Sequence, residues 1–304
     1  MSSATTFPQA GRRPADGAVS RRVVRLATHL VMIVVAASIV IPVVWVLLAS
    51  FKDKSEFYEN PWSLPRGFAF QNYIDAFVGA HMGEYFLNSV LVTALALVLV
   101  LVVAVPAGYT LARYNFRGKG LVRGFLMAGL FINVNYIVVP IFLLLIGWDR
   151  ALVDFFPGGL FIDSRPMLSL VYAATTLPFT IYLLSNFMST IPAEYEEAAM
   201  IDGASRFTTM MRVMLPIAKP ALTTVVLFDF LSYWNDFIIA LTLLPGEHKT
   251  LQVGLLNLMT AQRAAANYGR LYAGMIIVMV PVLIFYAIIQ KRLIEGIAGG
   301  GVKG

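Results

Sequence analysis

The sequence predicts an all-α membrane protein that crosses the bilayer six times. Hydrophobic residues make up 59% of its 304 positions and charged residues 13%, which is more apolar surface than a water-soluble core of this length can bury. The apolar residues form long runs, and a hydrocarbon core of about 30 Å needs about 20 of them per spanning helix. Helices are the expected form because they satisfy their own backbone in lipid.

Six runs are long enough to span, and within them only the fifth contains acids, Asp229 and Asp236. The first run is too long for the apolar region of a signal peptide, so we expect it to be retained. Residues 1–20, rich in Ser, Ala, Gly and Pro, are predicted to be a disordered tail, and residues 21–304 one transmembrane domain. The predicted spans are residues 26–48, 90–112, 124–147, 167–188, 221–244 and 272–290.

The distribution of positive charge predicts the orientation. With the N-terminus inside, 15 of the 23 Lys and Arg residues fall in cytoplasmic segments and 8 in external loops, so both termini are expected in the cytoplasm. The net charge of +6 is thus a topology signal, and we expect no nucleic-acid partner. The three histidines lie far apart and there is no cysteine, so no metal site is predicted.

The loop at residues 189–220, cytoplasmic in this topology, predicts two short helices around a turn. Glu194 and Glu197 suit the first turn of a helix that ends near Gly203, where a residue without Cβ can adopt positive φ. Ser205 can cap a second helix. Its apolar stripe consists of Phe207, Met210, Met211, Met214 and Leu215. Periodicity alone leaves open an ordinary amphipathic loop on the membrane surface.

The spacing in this loop resembles the cytoplasmic EAA loop of membrane subunits of binding-protein-dependent ABC importers. The matching residues are Glu197-Ala198-Ala199, Gly203 and Leu215-Pro216. Residues 51–77, 107–119 and 234–236 also resemble stretches of sugar-type importer permeases. The resemblance covers about residues 22–304 and indicates the smaller, six-span partner of the maltose-type carbohydrate importers. One departure is the external segment 148–166, which is longer than the family's usual turn.

The resemblance implies a type I importer permease fold in the inner membrane of a prokaryote. It implies a second homologous permease, two ABC ATPase subunits, an external solute-binding protein and a carbohydrate substrate: a sugar, oligosaccharide or polyol. By the same resemblance, the EAA loop (residues 189–220) docks into a cleft of the ATPase. The implied coupling residues are Glu194, Glu197, Ala198, Ala199, Asp202, Gly203, Leu215 and Pro216.

No catalytic machinery is visible in the sequence. The phosphate cradle G-x-x-x-x-G-K-[ST] that ATP hydrolysis would need is absent. We therefore expect a subunit that is not itself an enzyme and binds no cofactor, with ATP and Mg²⁺ held by the partner ATPase. The glycine-rich end, residues 296–304, is either a flexible end or, by resemblance, a tail that reaches the ATPase subunits.

Polar residues inside the predicted spans are candidates for the solute pathway. Acids are costly in a spanning helix and should face protein or water, and sugar hydroxyls need hydrogen-bonding partners beside flat aromatic surfaces. The alternative is that these groups only join helices through hydrogen bonds. The candidates are Asp229, Tyr233, Asn235 and Asp236 in the fifth span, and Asn133 and Asn135 in the third.

Two other functions remain open from the residues. An ion-coupled secondary transporter could use Asp229 and Asp236 to bind a proton or sodium. A membrane-embedded glycosyl transferase would need a catalytic cluster at the membrane surface, which the scattered acids of the external loops do not suggest. Neither alternative explains the EAA-like spacing.

Overall fold

The computed structural model describes the backbone of residues 16–265 and 267–300 and the side chains of residues 24–261 and 267–290. Those residues form helices and no strand, which confirms the all-α prediction. One-turn π-helices follow α3 at Asp75–Gly79 and α9 at Met210–Met214. The helices are α1 (Asp16–Ser50), α2 (Lys54–Glu59), α3 (Gln71–Ile74), α4 (Met82–Arg113), α5 (Lys119–Leu130), α6 (Val134–Ala151), α7 (Arg165–Thr190), α8 (Glu194–Ile201), α9 (Arg206–Thr209), α10 (Leu215–Ile217), α11 (Lys219–Asn235), α12 (Ile238–Leu243), α13 (Leu251–Ala265) and α14 (Tyr268–Gly300).

Within the described part of the chain, five helices are long and apolar enough to cross a membrane: α1, α4, α6, α7 and α14. A sixth span results if the bent pair Arg206–Ile217 and Lys219–Asn235, whose axes differ by 78°, is counted as one. Four of the predicted spans, the first, second, fourth and sixth, therefore correspond to single long helices.

The prediction of a continuous third span at 124–147 is wrong. α5 ends at Leu130 and α6 begins at Val134. The side-chain oxygen of Asn133 accepts the backbone N–H of Asn135 at 3.0 Å, so this residue caps the new helix. Mean hydropathy over the run does not reveal this break, because it depends on one side chain that hydrogen-bonds to the backbone.

The fifth predicted span, 221–244, is also interrupted. α11 ends at Asn235, and Asp236 adopts an extended conformation before α12 begins at Ile238. The Oδ2 of Asp236 accepts the N–H of Ala240 at 3.0 Å. The carboxylate thus satisfies a backbone donor at the start of α12 that has no partner within the helix.

The chain ends differ from the prediction as well. α1 begins at Asp16, so residues 16–20 of the predicted disordered tail are helical, while residues 1–15 lie outside the described residues. The apolar part of α1 is Val24–Ser50, close to the predicted span. At the other end α14 continues to Gly300, and only the last four positions of the predicted tail, 301–304, lie outside the description.

The packing of α4 against α7 forms the centre of the molecule. A Cβ added to Gly108 of α4 would lie 3.1 Å from the Cβ of Leu184 in α7, so the two helices approach closely there. One apolar cluster joins α4 and α7 to α6 and α12, and another joins α4 to α11, α13 and α14. A third cluster joins α4 and α7 to the second half of the EAA loop, which is thereby part of the core.

The loop between α1 and α4 is folded around the buried side chain of Lys52. Lys52 is 1% exposed, and its Nζ donates to the carbonyls of Asn60 at 3.0 Å and Pro61 at 3.1 Å and to the Ser63 hydroxyl at 3.1 Å. All three ammonium protons thus have acceptors. Beside it, the N–H of Glu56 donates to Asp53 at the start of α2 and lowers the pKa of that carboxyl.

The segment 148–166, predicted to be external, is also organised by one carboxylate. Asp149 accepts the backbone N–H groups of Leu160, Phe161 and Ile162 at 2.6, 3.0 and 2.9 Å. Three converging donors give the segment a defined loop conformation. Phe155 remains 78% exposed in this loop.

Candidate functional site

The first half of the EAA loop is a two-turn helix with a glycine-dependent stop. α8 has its acids in the first turn, where they complement the positive end of the helix dipole. Gly203 has φ of +82° and donates its N–H to the Met200 carbonyl at 3.0 Å, while Ala204 donates to Ala199 at 2.9 Å. This pair of bonds is a Schellman motif, and it confirms the turn predicted at Gly203.

The second half of the EAA loop is a helical arm that lies across the end of α11. Ser205 caps α9 by accepting the N–H of Thr208 at 3.2 Å, as predicted. The arm continues through the π-turn and α10 and meets α11 at 78°. Met210 and Met214 are buried against α4 and α7, whereas Phe207 and Met211 are exposed. The predicted apolar stripe is therefore only partly buried.

One arginine at the end of α4 connects the bundle to this loop. The Nε of Arg113 lies 2.9 Å from the Oε1 of Glu196, and its terminal Nη2 donates to the Ile191 carbonyl at 2.6 Å. Both side chains of the ion pair are shielded from solvent. Next to it, the guanidinium of Arg206 lies 5.2 Å from the centre of the Tyr114 ring, within the range of a cation–π contact.

The turn between the two halves presents apolar side chains to the outside. Ile201, immediately before the turn, is 85% exposed, and Phe207, just after it, is 69% exposed. Met200 is half exposed. Large exposed apolar residues around a rigid turn are typical of a protein interaction site.

The residues predicted to couple to the ATPase lie along the same surface. Glu194, Glu197 and Ala198 are exposed on α8, and Ala199 is half-buried. Asp202 and Gly203 are exposed in the turn, and Leu215 and Pro216 lie at the far end of the arm in α10. The structure thus places the set along one helix–turn–helix unit; its contact with an ATPase stays a prediction.

Three of the predicted pathway residues form a polar ladder between α7 and α11. The Thr180 hydroxyl donates to Asp229 Oδ2 at 2.9 Å, and the hydroxyls of Thr176 and Tyr233 hydrogen-bond to each other. The last rung is the Tyr172 hydroxyl, which donates to Asp236 Oδ2 at 2.7 Å. Asp229 and Tyr233 are buried, as expected if these groups join helices through hydrogen bonds.

The other predicted pathway residues are exposed amides. Asn133 caps α6, and Asn135 lies in its first turn. Asn235 donates its side-chain amide to the Leu231 carbonyl of its own helix at 2.9 Å. These three have amide groups accessible on the surface of the chain, unlike Asp229 and Tyr233.

Sequence reasoning missed the residues that face the site from neighbouring helices. The ladder partners on α7, Tyr172, Thr176 and Thr180, occur every fourth position and so share one helix face, a signal that the sequence contained. Arg113 and Glu196 had no such signal, because 83 positions separate them in the chain.

A family model described as "binding-protein-dependent transport system inner membrane component" matches residues 104–298. This stretch contains α5 to α13 and includes the whole EAA loop and the polar ladder. The chain belongs to this family of inner-membrane transport components. The resemblance seen in the EAA loop is thereby confirmed.

Named relatives cover nearly the whole permease. The diacetylchitobiose uptake system permease protein NgcG of Streptomyces coelicolor is 36% identical, over 90% of this chain and 87% of its own. The trehalose transport system permease protein SugB of Mycobacterium tuberculosis is 32% identical, over 87% and 92%. A chain of a bacterial ABC transporter involved in the import of the acidic polysaccharide alginate has the same fold, with a TM-score of 0.75, 23% identity and coverage of 94% and 99%.

Proposed function

We propose that this permease is the membrane subunit through which an ATP-driven ABC importer passes a carbohydrate into the cell. The observation that carries the proposal is the EAA loop: a rigid helix–turn–helix unit, joined to the transmembrane core on one side and exposing apolar residues on the other. A permease without its own nucleotide-binding motif needs such a surface to receive work from another subunit.

The ATPase docks on the turn around Gly203. Ile201 and Phe207 enter its cleft, and the small side chains of Ala198 and Ala199 allow its surface to approach α8 closely. ATP and Mg²⁺ are bound by the ATPase pair, and this chain binds no cofactor. Both termini and the EAA loop lie in the cytoplasm, in keeping with the excess of Lys and Arg in these segments.

The solute pathway forms between this chain and a second, homologous permease. In this arrangement the exposed amides of Asn133, Asn135 and Asn235 offer hydrogen bonds to sugar hydroxyls. Asp229, Tyr233 and Asp236 act on the pathway by holding α7 to α11, and the aromatic ring of Tyr233 stacks on that of Tyr172 with centroids 5.3 Å apart.

The solute reaches this pathway from an external binding protein. The relatives named for diacetylchitobiose and trehalose uptake support a small neutral oligosaccharide as the substrate class. Transport itself needs no covalent chemistry on the solute, because the two conformations of the permease differ in which side of the membrane they open to and which partners they bind.

Uptake into proteoliposomes tests this function against its alternatives. The complex is reconstituted with its binding protein, and the accumulation of labelled diacetylchitobiose and of labelled trehalose is followed with ATP inside and no ion gradient. ATP-driven accumulation of either sugar is expected. Accumulation driven by a proton or sodium gradient without ATP would indicate a secondary transporter, and transfer of sugar to lipid would indicate a transferase; either result would overturn the proposal.

A further inference from the structure

We propose that Arg113 is a positioning residue that makes α8 move together with transmembrane helix α4, so that a displacement of α8 is transmitted into the bundle. This rests on the proposed function, in which an ATPase displaces the EAA loop. Arg113 is the last residue of α4, the helix at the centre of the α4–α7 contact.

The guanidinium reaches three separate parts of the EAA loop. Its Nε faces Glu196 of α8 at 2.9 Å, and its Nη2 donates to the carbonyl of Ile191, which precedes α8, at 2.6 Å. The Sδ of Met214, in the second half of the EAA loop, lies 3.9 Å from the same nitrogen. A planar guanidinium can hold two acceptors in fixed directions at once, which a lysine ammonium on a flexible stem does less well.

The two halves of the EAA loop are attached to the bundle by different interactions, apolar packing for one and an ion pair for the other. The second half is held by apolar packing, since Met210 and Met214 are buried in a cluster with residues of α4 and α7. Of the eight residues of α8, all of them described, only Glu196 is buried. The ion pair with Arg113 is therefore the principal side-chain attachment of α8 to a transmembrane helix.

The surroundings make this attachment stiff. The side chains of Arg113 and Glu196 are 12% and 11% exposed, so water and salt screen the pair far less than a surface ion pair. The hydrogen bond to Ile191 orients the guanidinium, while the contact between its Nε and the Oε1 of Glu196 is a shielded ion pair without hydrogen-bond geometry. A close ion pair that is shielded from solvent, beside a hydrogen bond to the chain just before α8, resists displacement of α8 relative to α4, whereas an exposed helix without them would shift alone.

The attachment is tested by a distance within the chain, measured between spin labels by pulsed electron resonance. The chain has no cysteine, so labels can be placed at Tyr195→Cys on α8 and Val103→Cys on α4 in the assembled transporter. A narrow distance distribution is expected with Arg113. Arg113→Gln should widen it clearly, Arg113→Lys should widen it less, and Arg117→Gln, which removes an exposed arginine four positions on, should leave it unchanged.

The same label pair tests transmission when the ATPase is trapped with ATP and vanadate. With Arg113 present, the separation of Tyr195→Cys and Val103→Cys should stay constant, because both helices move together. In Arg113→Gln it should change on trapping, and ATP-driven uptake per ATP hydrolysed should fall about tenfold, within the range known for mutations that alter coupling.

A second variant separates the ion pair from a general loss of structure. Glu196→Gln should reproduce the effect of Arg113→Gln, and the double variant should be no worse than the more severe single one, because both remove one interaction. Additive effects, or an unchanged narrow distribution in Arg113→Gln, would overturn the proposal. If the proposed function failed instead, trapping would change nothing in any variant, while the widening in Arg113→Gln without nucleotide would remain.

Discussion

In the polar ladder, removing the donor of the hydrogen bond between Thr180 and Asp229 should cost more stability than removing its acceptor. Asp229 is 1% exposed, and the Thr180 hydroxyl donates to its Oδ2 at 2.9 Å. Thr180→Val removes the donor and leaves a buried acceptor without it, at a cost of about 1–3 kcal/mol in the free energy of unfolding. Asp229→Leu removes the acceptor, but the Thr180 hydroxyl keeps the Thr176 carbonyl at 3.2 Å. The second change should cost only about 0.6 kcal/mol, the average for hydrogen bonds between membrane helices.

Thermal unfolding of the purified complex in detergent measures this difference. Thr180→Val should lower the midpoint more than Asp229→Leu, and the double variant should behave like Asp229→Leu alone. Thr223→Val is a matched control, because its hydroxyl donates only within α11, to the Lys219 carbonyl at 2.9 Å.

Equal or reversed costs for the two changes would show that Asp229 does not depend on the Thr180 hydroxyl more than the hydroxyl depends on Asp229. Uptake gives a second criterion. If Asp229 acts by holding α7 to α11, uptake by Asp229→Leu should follow the amount of folded complex. A large loss of uptake at normal stability would instead make the carboxyl a direct contact of the solute.

Three further predictions follow from local geometry. Two variants of the EAA loop should abolish stimulation of the ATPase while membrane insertion is normal. Gly203→Pro should do so because proline cannot adopt φ of +82°, and Ala198→Trp because it adds bulk to α8; full uptake by either variant would contradict this. Gly108→Val should destabilise the α4–α7 contact by about 1–3 kcal/mol in thermal unfolding, and Gly124→Val, where an added Cβ meets nothing within 4 Å, should have little effect. Asp149→Ala should make the segment 150–162 more sensitive to limited proteolysis, and an unchanged cleavage rate would show that the three N–H contacts of Asp149 are dispensable.

The long helices could be predicted from the sequence because hydrophobicity over about 20 residues is a strong signal. The two interruptions could not, since each depends on one polar side chain that satisfies backbone groups locally. Asn133 caps α6, and Asp236 accepts an N–H of α12. Both residues are also pathway candidates by sequence, and in the structure Asn133 precedes the start of α6 and Asp236 follows the end of α11.

The site could be predicted only where it is local in the chain. The turn at Gly203 and the cap at Ser205 follow from rules about neighbouring residues, and both are present. The partners of Asp229 and Glu196 lie on other helices, 49 and 83 positions away. Helix packing decides which polar residues pair with one another. The sequence therefore shows acids that are costly to bury without showing the residues that hydrogen-bond or ion-pair with them.

Photocrosslinking tests whether a separate ATPase acts on this permease at the Gly203 turn. A photoreactive amino acid placed at Ile201, which is 85% exposed beside the turn, should crosslink to the ATPase subunit in the assembled transporter. The same group at Phe155, in the segment 148–166 that the proposed topology places outside, should not. Crosslinks from Ile201 to lipid alone, or crosslinks of the ATPase to Phe155, would show that the ATPase does not dock at this turn.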